Sequence, residues 1–147
     1  MLKFLSLPII LAAISGAAMA LQGTLNSQFS QKTSLLTSTF VVHIIGGIIA
    51  LIAVLIWKAP IFQLKWSEVP WYLYLGGVLS VLIIALVAFS ISKVGVCNAT
   101  TAIILGQVGI AVIIDHMGLL GVQRIPWSPW QILGLILFAS GAKLLIR

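Results

Sequence analysis

Acidic side chains are almost missing from this chain: Glu68 and Asp115 are the two among 147 residues. Charge of either sign is scarce, at 7%, where soluble domains carry about 25%. That excludes a soluble globular domain, whose surface needs charge. With two carboxylates and two histidines, no nucleophile–base–acid set, metal cluster or phosphate loop can be assembled. The reading is therefore non-enzymatic: no catalytic residue, no metal ligands and no cofactor. Cysteine is reduced to Cys97, which excludes an intrachain disulfide and reads as a small apolar filler. Asn98-Ala99-Thr100 spells a glycosylation acceptor, but it falls within a few residues of lipid and carries no secretory context. The net charge of +6 does not point to nucleic acid, because the basic residues stand singly and form no patch.

What is present is hydrophobic sequence, 61% of the chain. The ten charges leave five uncharged windows: Phe4–Gln31 (28 residues), Thr33–Trp57 (25), Val69–Ser92 (24), Val94–Ile114 (21) and Ile125–Ala142 (18). A helix needs about 20 largely apolar residues to cross a bilayer. The chain is therefore expected to be an all-α integral membrane protein, a single transmembrane domain over 1–147. Its five transmembrane helices are expected at about 5–29, 35–57, 71–92, 99–120 and 130–146. Ala18-Met19-Ala20 resembles a signal-peptidase site. The hydrophobic run before it is long for a signal, however, and the first segment is kept as a span.

Punctuation supports these boundaries. Gln31–Ser38 reads as a polar turn, Lys58–Pro70 as the longest loop, Ser92–Asn98 as a turn around Gly95, and Gly121–Pro129 as a proline-bearing loop. Asn98 or Thr100 is the expected cap of the fourth span. Trp57, Trp66, Trp71, Trp127 and Trp130 all fall at expected span ends, where an apolar ring with one polar N–H settles at the membrane surface. Small residues recur along span 1, Gly16 and Ala20 among them, and Gly134 and Gly141 share a face of span 5. Such stripes let helix backbones approach each other in lipid.

Five spans put the termini on opposite sides. Lys3, Lys58, Lys65 and Arg124 then fall on one side, and Lys32, Lys93, Lys143 and Arg147 on the other. Orientation follows an excess of Lys and Arg on the cytoplasmic side, and here the excess is zero. One reading is a weak bias hidden in detail. The sharper one is dual topology, in which the chain inserts both ways and pairs with an inverted copy, the arrangement that inverted-repeat transporters use.

Within the spans, Gln22 and Asn26 are four apart in span 1, and Gln107 is central to span 4. Amides in hydrocarbon cost several kcal/mol when unpaired, so they are read either as interhelical glue or as a substrate-facing surface. His43 lies well inside span 2, where a titratable group is a functional candidate. It is either a neutral ring bonded to a neighbouring helix or a proton carrier. Asp115, near the end of span 4, is read as an ion-pair partner of Arg124 or as a proton or cation site.

Several stretches carry a resemblance. Asn98-Ala99-Thr100-Thr101-Ala102, Gly106-Gln107 and Asp115-His116-Met117-Gly118-Leu119-Leu120-Gly121 resemble the next-to-last helix of the drug/metabolite transporter superfamily. Gln131-Ile132-Leu133-Gly134 through Ala139-Ser140-Gly141 is similar to its closing helix. With Gln22-Gly23-Thr24-Leu25-Asn26-Ser27-Gln28-Phe29 and five spans, the chain is most similar to the YdcZ-like branch of inner-membrane exporters. The resemblance implies a bacterial cytoplasmic membrane location and transport of small metabolites or drugs. It also implies an antiparallel two-chain assembly, either a homodimer or a pairing with a paralogous chain. The superfamily's small multidrug exporters place a glutamate in the first helix. Gln22 stands in the comparable region here and cannot titrate, so any proton coupling falls to His43 or Asp115, or to neither.

The expected function is thus small-molecule export by an antiparallel dimer in the lipid bilayer, with Gln22, Asn26, His43 and Gln107 lining the substrate site. A dual-topology ion channel and a non-transporting subunit of a membrane complex are the alternatives.

Overall fold

The structure, a computed structural model, describes residues 6–60, 63 and 65–146. Lys3, the expected start of span 1 at Leu5, and Arg147 lie outside the described residues. The described chain is helical: α1 (Leu7–Lys32), α2 (Leu35–Ile56), α3 (Leu75–Val94), α4 (Val96–Met117) and α5 (Pro129–Leu145). Short 3-10 turns stand at Trp66–Glu68, Trp71–Tyr74 and Leu119–Gly121.

Four segments, Leu7–Lys32, Leu35–Ile56, Trp71–Val94 and Val96–Met117, are long and apolar enough to cross a membrane. The fifth is shorter. α5 has 17 residues, about 25 Å at 1.5 Å per residue, the lower bound for a span. Pro129 opens it, where a missing N–H costs nothing. The N–H of Trp130 donates to Ser128 Oγ at 3.2 Å, and the N–H of Ser128 donates to Gln131 Oε1 at 3.0 Å. This capping box fixes where α5 begins.

The turns are tighter than the polarity of the sequence suggests. The expected turn Gln31–Ser38 shrinks to Thr33 and Ser34: α1 runs through Lys32, and α2 starts at Leu35 on a cap in which Thr37 N–H donates to Ser34 Oγ at 3.0 Å. Polar residues near a membrane surface need not leave the helix. The expected cap at Asn98 or Thr100 is also displaced. Gly95, at φ +83°, forms the whole turn, and α4 starts at Val96. Glycine reaches that conformation without a Cβ clash. The Asn98 amide instead donates backwards to the Val94 carbonyl at 3.0 Å. At its far end α4 stops at Met117, short of the expected Leu120. Gly118 turns left-handed at φ +64° and closes the helix.

The chain divides into two compact units, 1–92 and 93–147. In the first, α1 and α2 pack as an antiparallel hairpin. The C-terminal half of α3 meets α1 at Gly23, where an added Cβ would stand 2.8 Å from Val87 Cγ1 and 2.9 Å from Ile91 Cδ1. In the second, α4 and α5 pack together, with Ala99 and Ala142 buried.

Candidate functional site

Burial in the first unit is inverted relative to a soluble protein. Leucine, isoleucine and phenylalanine side chains face outward along every helix, while Asn26, Ser27, Ser38 and Thr39 are buried beside Gly23, Ala88 and Ile91. Lipid removes the penalty on outward apolar groups, so packing is left to small and polar residues. Gly23, Asn26, Ser27 and Ser30 follow the i, i+3, i+4, i+7 spacing of one helix face. The hydroxyls there turn back onto their own helices: Ser38 and Thr39 donate to the Leu35 carbonyl, and Ser30 donates to that of Ser27. Ser27 is wholly buried, and its Oγ has no partner among the described residues.

His43 is half-buried on α2 and bonded at both ring nitrogens. Nδ1 lies 2.7 Å from the Thr39 carbonyl oxygen. A carbonyl only accepts, so Nδ1 carries the hydrogen. Nε2 of the neutral ring is then the acceptor, and the Ser80 hydroxyl, 3.0 Å away on α3, donates to it. His43 therefore links two spans.

The other expected site residues are placed as follows. Asn26 is buried in the α1 face just described, whereas Gln22, at its flank, faces outward. In the α1–α2 hairpin, Gln22, Asn26 and His43 stand at similar depths, about 10 to 17 Å from the turn. Gln107 faces outward near the centre of α4, in the second unit. Gly16, Gly134 and Gly141, expected to pack helices, have no atom within 4 Å of an added Cβ, and Ala20 is half-buried. Gly23 is the tight contact on α1. Ser27, Ser38, Thr39 and Ser80 were not expected. For the first three, the small-polar periodicity around Asn26 is the signal that marks them.

Asp115 is exposed, and its expected ion pair with Arg124 is not formed. The left-handed turn at Gly118 brings Arg124 back over the end of α4, where Nε donates to the His116 carbonyl at 3.0 Å. The last carbonyls of a helix are unsatisfied and carry partial negative charge, so they draw the guanidinium. The loop is pinned further by Ile125 N–H donating to the Asp115 carbonyl at 2.8 Å. The His116 ring lies against Trp127, with centroids 4.6 Å apart. At the opposite end of this unit, Lys93, Val94, Asn98, Ala102 and Ile146 line an open cleft of about 550 Å³.

Residues 7–144 match the family described as "Putative inner membrane exporter, YdcZ". No curated protein and no solved structure gives a significant match.

Proposed function

Because the chain belongs to this family of inner-membrane exporters, we propose that it exports a small molecule as an antiparallel two-chain unit. It is a multi-pass inner-membrane protein, so its work is carried by side chains within the spans. The observation that carries the reading is the position of the polar side chains. Asn26 and His43 stand inside the first unit, and Gln22 and Gln107 face outward from the middle of α1 and α4. An uncovered amide in hydrocarbon costs several kcal/mol, so a second chain or a polar cavity has to cover the two glutamines. An inverted second copy is the partner that the four-to-four distribution of basic residues favours. A paralogous chain of opposite orientation would serve the same geometry.

In this reading the superfamily is that of the drug/metabolite transporters. The substrate lies near the bilayer midplane, held by Gln22, Asn26, His43 and Gln107. The three amides offer hydrogen bonds and no fixed charge, while the His43 ring, bonded at both nitrogens, offers only its edge and face, which suits a neutral, zwitterionic or weakly charged ligand. The test is release from vesicles that contain the protein and are loaded with a small-metabolite extract, followed by mass spectrometry. A subset of compounds should leave wild-type vesicles and stay in Gln22→Ala vesicles, while both chains assemble alike. Compound-specific release that Gln22→Ala leaves unchanged would remove Gln22 from the site. Absence of any such release from wild-type vesicles would contradict export.

A further inference from the structure

Several hydroxyls within the helices bond their own backbone. Thr24 donates to the Ala20 carbonyl, Thr39 to Leu35, Ser92 to Phe89 and Ser140 to Ile136. Ser80 departs from this pattern: its hydroxyl reaches across to Nε2 of His43 on α2. That choice matters because of what surrounds the ring. The elements packed in the first unit offer no carboxylate: α1, α2 and α3 contain neither Asp nor Glu. Lys32 and Lys93 sit at the ends of α1 and α3. Lys58, Lys65 and Glu68 belong to the segment between α2 and α3, where Lys65 and Glu68 pair at 3.0 Å. Tyr72 and Tyr74 precede α3, and the Tyr74 hydroxyl donates to the Trp66 carbonyl at 3.3 Å. Among the described residues of the first unit, His43 thus has no ionic partner, and its ring nitrogens face two neutral oxygens.

We propose that Ser80 is the positioning residue of a proton-accepting station on His43, its hydroxyl keeping α2 tied to α3 in both protonation states. In the neutral ring, Ser80 O–H donates to the Nε2 lone pair. A hydronium gives its proton to that lone pair as a new N–H, its own O–H bond breaking and a water molecule leaving. Nε2–H then donates to Ser80 Oγ, and the hydroxyl hydrogen swings to the carbonyl one turn back in α3, as Thr24, Thr39 and Ser140 already do in their own helices. Nδ1–H stays on the Thr39 carbonyl throughout. No bond other than N–H is made, and no side chain has to move. A serine is suited to this because its oxygen both donates and accepts. The station is the proton-handling part of the exporter and rests on that reading for its purpose, though not for its chemistry. It places the titrating group at His43 rather than at the exposed Asp115.

The test is a pH series on chain labelled with 15N-histidine, in vesicles of phosphatidylethanolamine and phosphatidylglycerol. His116→Gln leaves His43 as the single histidine, and His43→Gln in a chain that keeps His116 confirms the assignment. The ring nitrogens should report reversible protonation across the series. Ser80→Thr should keep the midpoint. Ser80→Val, which has the same shape without the hydroxyl, should change proton affinity by about threefold or more. A ring that never protonates, or threonine and valine variants that titrate alike, would overturn the proposal. Metabolite release that fails while His43 titrates as described would instead contradict export and leave the station standing.

Discussion

A few single atoms decide how the first unit packs. At Gly23, a methyl group would overlap Val87 and Ile91, and the Val87 side chain is stiff at χ1. Gly23→Ala should therefore destabilise the chain by about 1–3 kcal/mol, lowering the midpoint of thermal unfolding in detergent. Gly16→Ala, on the same helix but facing open space, should leave that midpoint unchanged within about 0.5 kcal/mol. Equal losses for the two would mean that the small residues of α1 act through something other than contact with α3. The same scale separates His43 from Asp115. Both carry ionisable side chains, but one is bonded between two spans and the other is exposed beside a helix end. Spacing alone does not distinguish them, because the partner of His43 is a serine 37 positions away, and a serine inside a span carries no mark of its own.

At the scale of elements, the helices were legible, as were the ends of α2 and α5 to within a residue, and the ends of α1, α3 and α4 were not. Charges at Lys32, Lys58, Lys93 and Arg124 bracket the apolar windows, because a charged group is costly inside lipid and cheap at its edge. The observed helices follow those brackets. The ends depend instead on backbone geometry, which polarity does not encode. Asn98 looks like a cap, yet the positive φ of Gly95 starts α4 three residues earlier and leaves the asparagine inside the helix. Ser128 and Gln131 form the capping box of α5, the shortest apolar helix among those described. Ser128→Ala should cost about 1 kcal/mol and fray the first turn, seen as faster amide exchange at Trp130 and Gln131. Unchanged exchange there would show that Pro129 alone sets the start of the helix.

At the scale of the whole molecule, the central claim is that the chain works beside an inverted partner. It accounts for the outward-facing amides in the middle of α1 and α4, Gln22 and Gln107, and for the equal division of basic residues between the two sides. The charge balance itself was legible, since it needs only the order of spans and loops. The polar lining of the first unit was less so, because Ser27, Ser38 and Thr39 look unremarkable one by one and acquire meaning when the hairpin buries them together. A balance of four against four is also fragile. Lys93→Ala should favour the orientation that puts Lys58, Lys65 and Arg124 in the cytoplasm, seen as unequal labelling from the two sides. The most direct measurement is topology itself. Cys97 is replaced by serine, one cysteine is added at the C-terminus, and an impermeant thiol reagent is applied to intact cells for the outer side and to inside-out membrane vesicles for the cytoplasmic side. Labelling of comparable fractions of the molecules from each side is the predicted result, and labelling from one side alone would contradict an antiparallel homodimer.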